Sequence, residues 1–161
     1  MKLEDVAGYS SASAKVGNVD KENYIGVDNL LSGKRGKIDS QYVPEKGHLV
    51  KYEENDTLIG NIRPYLRKIW FATKTGGASP DILVIKPKTQ EIEPRFLYHV
   101  LSSEEFCEYN SKKSRGSKMP RGDKLSILKY NFALPSLARQ QQIVETLDRF
   151  GHLCHDLRAG L

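Results

Sequence analysis

Six cations fall within residues 112–124: Lys112, Lys113, Arg115, Lys118, Arg121 and Lys124. Ser114, Gly116, Ser117 and Gly122 lie between them. Small residues let a backbone come close to phosphate, and lysine and arginine neutralise it. The chemistry written in this pattern is the gripping of a polyanion; the plain alternative is a solvated loop. Residues 112–130 hold seven Lys/Arg and one Asp, against 15 Lys/Arg and 16 Asp/Glu in residues 1–111 and three of each in residues 131–161. The formal net charge of +5 therefore resides in one stretch, which reads as a binding footprint rather than as general solubility.

A second group, Gly60 to Trp70, mixes Arg63, Arg67 and Lys68 with Tyr65 and Trp70. Bases interleaved with aromatics can hold phosphates and stack on sugars or bases. On a strand, Arg63, Tyr65 and Arg67 share one face and Lys68 and Trp70 the other. Trp70 and Phe71 are read as core. Lys34, Arg35, Gly36 and Lys37 form a third, smaller basic loop.

Other constellations carry less. Asn61-Ile62-Arg63-Pro64-Tyr65 is one residue too long for the Asn-Pro-Pro-Tyr pattern of adenine methyltransferases, and no Gly-x-Gly cofactor loop accompanies it. Pro80-Asp81 followed by Glu93 and Arg95 places Arg where a metal-dependent nuclease core usually has Lys. His152, Cys154 and His155 do not share one helical face, so they read as ordinary helix residues. Arg121-Gly122-Asp123 spells an adhesion tripeptide, set aside here for want of a secretion signal. No catalytic residue, metal ligand or cofactor site is expected. A nuclease or methyltransferase, and a protein whose C-terminal helix is its main working part, are the competing readings.

The elements that must position these residues are legible in outline. Residues 9–40 read as loops around one strand, Tyr24 to Leu31. The stretches TLIGNI, LRKIWFAT and DILVIKP read as three strands of a β-meander, with Gly76-Gly77 as a turn. Pro94 opens a helix over 94–110, on which Phe96, Leu97, Val100 and Leu101 recur at helical spacing. Leu128, Tyr130, Phe132 and Leu134 alternate as a half-buried strand. Ile143, Leu147, Phe150, Cys154, Leu157 and Leu161 are spaced 4, 3, 4, 3, 4, a heptad seam and candidate partner interface. The pattern is still running at the last residue, and a longer helix or a covering partner is expected.

With 161 residues, 39% hydrophobic and 28% charged, the chain suits one α+β globular domain with a real core. Two widely separated cysteines, Cys107 and Cys154, do not make a disulfide framework. The segment MKLEDVAGYS lacks a signal-peptide core, and no apolar run is long enough to span a membrane. The expected setting is cytoplasmic.

Two stretches, DTLIGNIRPYLRKIWFATKTGGASPDILVIKP and SRGSKMPRGDKLSILKYNFALPSLARQQQIVETLDRF, resemble the DNA-specificity subunit of Type I restriction–modification systems. The first looks like the centre of a target-recognition domain, the second like its end running into a spacer helix. Leu134, Pro135, Leu137, Gln140, Ile143, Val144, Leu147 and Asp148 match the family's pattern at that junction. Ser136 replaces a second Pro, and Ala138-Arg139 stands where acids are usual. The resemblance implies a target-recognition domain over 1–134 and the start of a long spacer helix over 135–161. It implies a non-catalytic reader of one half of a split double-stranded DNA site. Modification (methyltransferase) and restriction subunits would be partners, with a second specificity half or a second copy pairing through the C-terminal helix. The DNA-facing candidates are then Lys112, Lys113, Arg115, Lys118, Arg121 and Lys124 along the backbone. Arg63, Tyr65, Lys68, Lys74, Ser79, Lys34, Arg35 and Lys37 join them, Arg63 and Tyr65 foremost as readers of bases.

Overall fold

Two runs of apolar residues form the centre of the molecule because both of their faces are covered. The computed structural model describes residues 1–159, with side chains through residue 153. Strands β1 (Ala7–Tyr9), β2 (Ser13–Ala14), β3 (Tyr24–Ile25), β4 (Leu49–Tyr52), β5 (Thr57–Gly60), β6 (Ile69–Phe71), β7 (Gly76–Ala78) and β8 (Ile82–Pro87) form two sheets. The four-stranded sheets have orders β1-β8-β5-β6 and β2-β4-β7-β3. All pairs are antiparallel except β3 with β7. The helices are α1 (Leu3–Val6), α2 (Pro94–Leu101), α3 (Glu104–Lys113), α4 (Lys124–Leu128) and α5 (Leu137–Ala159).

Alternation along β5 and β8 divides the core. Ile59, Leu83 and Ile85 face a cluster completed by helix residues such as Leu97, Leu101, Phe106, Ile127 and Val144. Leu58, Ile82 and Val84 face the second sheet, meeting Ile25, Tyr52 and Ala78. Period-2 side-chain alternation thus makes one sheet serve two cores, and the domain is α+β as the sequence suggests. The three expected strands over 57–87 are antiparallel neighbours, with the first of them, β5, in the middle between β8 and β6.

Gly76 and Gly77 lie in a strand rather than a turn. A Cβ at Gly76 would stand 2.2 Å from the Asn23 carbonyl oxygen and 2.6 Å from Tyr52 Oη. Only glycine admits β3 that closely. The helix expected over 94–110 is broken at Ser102-Ser103. Ser103 Oγ accepts from the Phe106 amide, and Glu104 and Glu105 occupy the new first turn, a strong N-terminal signal. The alternating residues Leu128 to Leu134 form no regular strand. Leu128 ends α4, and the residues after it run on irregularly, bridged once, Lys2 to Asn131, with Tyr130, Phe132 and Leu134 packed on the core.

Helix α5 is fixed to α2 by a charged clamp. Arg95 Nη2 and Nε donate to Asp148 Oδ1 at 2.9 and 3.1 Å, and His99 Nε2 lies 2.8 Å from the same oxygen. A carboxylate only accepts, so Nε2 carries the proton. Burial pushes His99 below the ordinary imidazole value, although Asp148 pulls the other way. Burial would raise Asp148, but the hydrogen bonds from Arg95 and His99 outweigh it and hold the carboxyl below its ordinary value. The unfolded imidazole takes up its proton near pH 6.5 and the folded one only below that, so stability falls as pH drops through this value. The Asp148 contribution is present above roughly pH 4 and is lost as pH falls toward its folded value. Urea midpoints should therefore decline as pH falls below about 7 and again below about 4. His99→Gln should remove the first decline and leave the second; two unchanged declines would show that His99 does not titrate with folding.

Candidate nucleic-acid interface

The basic stretch is not one loop. Lys112 and Lys113 end α3, Lys124 begins α4, and only 114–123 is irregular. Within it the Arg115 and Arg121 amides each donate to the other's carbonyl at 2.8 Å. This closes a small hairpin in which Gly116 takes φ 101°, a left-handed backbone that favours glycine. The hairpin is rooted in the other basic segment. The Arg63 amide donates to the Pro120 carbonyl at 2.7 Å, and the Gly122 amide to the Asn61 carbonyl at 3.1 Å. At Gly122 a Cβ would stand 2.6 Å from Asn61 Oδ1 and 3.0 Å from Asn110 Oδ1, so a side chain there would lift the hairpin off its seat.

Residues 61–68 turn instead of continuing β5, which corrects the expected strand face. Arg63 and Arg67, both at φ 54°, flank a single 3₁₀ turn, Pro64–Leu66. Arg63 and Tyr65 are exposed. Arg67 pairs with Glu104, and Lys68 Nζ donates to the Val27 carbonyl at 3.0 Å. Trp70 sits edge-on to Tyr52 beside the second core cluster. The third basic loop backs onto the same turn: the Gly33 and Lys34 amides donate to the Leu66 and Arg67 carbonyls, both at 2.8 Å. Three basic segments far apart in sequence are thus joined by main-chain hydrogen bonds.

Their side chains are unequally available. Lys37 Nζ donates to the Glu22 carbonyl at 2.6 Å and to Asp39 at 3.0 Å, and lies over Trp70. Lys34 is 3.5 Å from Glu104. Lys34, Lys37 and Lys68 are therefore engaged by the fold. Arg35 is exposed, its Nε donating to the Ser32 carbonyl. Lys112 and Lys118 are exposed, with no carboxylate within ion-pair reach among the described residues. Lys113 leans over the Tyr109 ring and Lys124 over the Tyr9 ring. The Arg115 side chain is 84% exposed and 3.9 Å from Asp123.

Beside the hairpin lies an open cleft of about 500 Å³. Arg63, Lys68 and Ser79 line it; Tyr65, Lys74 and the loop cations Lys34, Arg35 and Lys37 do not. The cleft also takes in Ser40, Gln41, Tyr42 and Met119, which sequence reasoning did not single out, and Asp81, which it weighed only as part of a nuclease-like core. Tyr42 is 61% exposed and tilted against Tyr24 at 5.9 Å. An exposed tyrosine inside a polar segment was the one signal available for it. Arg121 Nη1 donates at 2.6 Å to Oδ1 of Asp81, a residue of the cleft lining.

On α5, Ile143 packs partly on the domain core, while Leu147 and Phe150 are exposed, as is Leu153. The side chains of Cys154 and Leu157, and Leu161 altogether, lie outside the described residues. Cys107 is a free, half-buried thiol whose pKa burial pushes up. Among the described residues no cluster of His, Cys, Asp and Glu could hold a metal ion, and no helix is long and apolar enough to cross a membrane.

An open cleft thus lies beside a hairpin whose cations Lys112 and Lys118 are exposed. The chain belongs to the Type I restriction modification DNA specificity domain family, which it matches over residues 1–161. The fold is also similar to that of an HsdS subunit from Thermoanaerobacter tengcongensis (TM-score 0.77, 19% identity, covering 99% of this chain and 43% of that one). It is similar to the Type-I restriction-modification S subunit from M. genitalium (TM-score 0.65, 12% identity, 99% and 40% covered). A chain from a structure of complex assembly and conformational transition of the type I R-M system gives TM-score 0.69 at 16% identity, with 99% and 40% covered. The chain thus spans about two fifths of the length of these structures. No curated protein sequence matches it.

Proposed function

We propose that this chain recognises a sequence in double-stranded DNA as one target-recognition domain of a Type I specificity subunit, with no catalytic activity of its own. Family membership sets the class. The observation that carries the reading is that main-chain hydrogen bonds join residues 33–37, 61–68 and 112–124, with Arg63, Lys68 and Met119 of these segments lining one cleft. Lys112, Lys113, Arg115 and Lys118 supply phosphate contacts that set register. Residues lining the cleft, among them Arg63, Ser79, Gln41 and Tyr42, face base edges. Residues 1–134 form the recognition domain, and residues from 135 begin a spacer helix. Leu147 and Phe150 on that helix offer an apolar face to a second specificity half or a second copy. Methyltransferase and restriction subunits assemble with the whole subunit, in the cytoplasm.

The test is a salt series. Four phosphate contacts on B-form DNA give a log–log slope of about −3.6, at about −0.9 each. Lys118→Ala should reduce the steepness by about 0.9, equally on preferred and scrambled duplex, because phosphates carry no sequence. A flat salt response would overturn the phosphate role. Methyl transfer from S-adenosylmethionine, or DNA cleavage with divalent metal, by the purified chain would favour an enzyme instead.

A further inference from the structure

Arg121 differs from every other cation of the basic stretch. Its guanidinium is held at 2.6 Å by Asp81, which lines the cleft, yet the side chain is 55% exposed. Its backbone is the most tightly fixed of the stretch: paired with Arg115 through both amide and carbonyl, bridged to Ile62, and followed by the buried Gly122. We propose that Arg121, aimed by Asp81, is a specificity-determining residue that reads a guanine edge in the major groove rather than gripping phosphate. This deepens the DNA-recognition reading above and rests on it.

Charge decides between the two roles. An arginine already neutralised by a carboxylate releases few counterions when it meets phosphate. A phosphate drawn to Arg121 would also be drawn towards Asp81, a like charge. A guanine edge is uncharged and offers two acceptors, O6 and N7, to an arginine fork. The contact with Asp81 uses Nη1, leaving Nη2 and Nε as donors. Fixing the backbone and one nitrogen in advance reduces the side-chain entropy lost on binding. The neighbouring Lys113, Arg115 and Lys118 carry the phosphate contacts, so nothing in the grip requires Arg121.

The experiment selects preferred sequences from a pool of randomised duplexes at low salt, then measures affinity across a salt series. The native chain should select a motif containing a G. Arg121→Ala should lose preference at that position alone, weakening the selected duplex about tenfold or more, with random-duplex affinity and salt slope unchanged. Arg121→Lys keeps the charge but not the fork and should behave the same way. Replacing that G by 7-deazaguanine, which lacks N7, should weaken the native chain but not Arg121→Ala. Asp81→Asn should relax the same position and tighten binding to random duplex. Uniform weakening of all duplexes by Arg121→Ala, with a slope smaller by about 0.9, would make Arg121 a phosphate contact and overturn the proposal. An unchanged motif and slope would leave only a structural ion pair and overturn it too. A native chain that binds no duplex would instead remove the DNA reading itself.

Discussion

Changing Lys113, Arg115 and Lys118 together to Glu should weaken binding to any duplex by at least about two decades at roughly 0.1 M salt. The size follows from counterion release: each lost contact removes about 0.9 of a decade per decade of salt, so three account for about 2.7 decades between 1 M and 0.1 M. Charge reversal adds repulsion. The domain should stay folded, with a melting temperature within about 2 °C of the parent, because these side chains are exposed. The one ion pair lost is the 3.9 Å contact of Arg115 with Asp123, and exposed pairs contribute little. Sequence preference, measured on the duplex that survives selection at low salt, should persist, since the cleft is untouched. Parental affinity in the triple variant would reduce the basic stretch to solvated surface.

What could be read in the sequence depended on how local its cause was. The runs at 57–60 and 82–85 declared themselves because strands covered on both faces are continuously apolar. The heptad spacing after Leu137 announced α5, and the concentration of charge in 112–130 announced the cations. Neighbours without sequence proximity were not legible. The pairing of Ile62 with Arg121 and of Gly33 with Leu66 joins segments whose relation only the fold reveals. Gly76-Gly77 carried a turn signal but answers a packing demand from Asn23 and Tyr52. The charges of Lys37 and Lys68 looked free because their acceptors, the Glu22 and Val27 carbonyls, are main-chain groups that every residue possesses. Arg63 and Arg67 gave no hint of left-handed backbone, which arginine seldom adopts. The contrast between Arg121 and Lys118 is of the same kind: identical charge in sequence, but one beside Asp81 and the other free.

The largest loss of stability from a single polar side chain is expected at Gln140. It is 0% exposed at the start of α5, where a glutamine three residues into a helix looks unremarkable. Its amide is fully used. Nε2 donates to the Glu91 and Pro135 carbonyls at 2.8 and 2.9 Å, and Oε1 accepts from the Glu93 amide at 2.8 Å. One side chain thereby ties the helix to the segment that leads into α2 and to its own approach. Gln140→Leu preserves volume and apolar packing but strands one main-chain donor and two acceptors. Each costs about 1–3 kcal/mol when buried. These groups are partly reached by solvent, so a total near 3 kcal/mol is expected, or a melting temperature lower by about 10 °C in a domain of this size. Gln141→Leu, one position along on the exposed face, should shift it by no more than about 2 °C. Because α5 rests on α2 through Gln140, Val144 and the Asp148 clamp, the same change should raise hydrogen exchange first in residues 137–148. The hairpin and cleft are built from other segments, so the salt slope of DNA binding should be unchanged below the melting transition. Equal melting temperatures for Gln140→Leu and Gln141→Leu would mean that water replaces all three contacts and that the glutamine does not hold the helix to the domain.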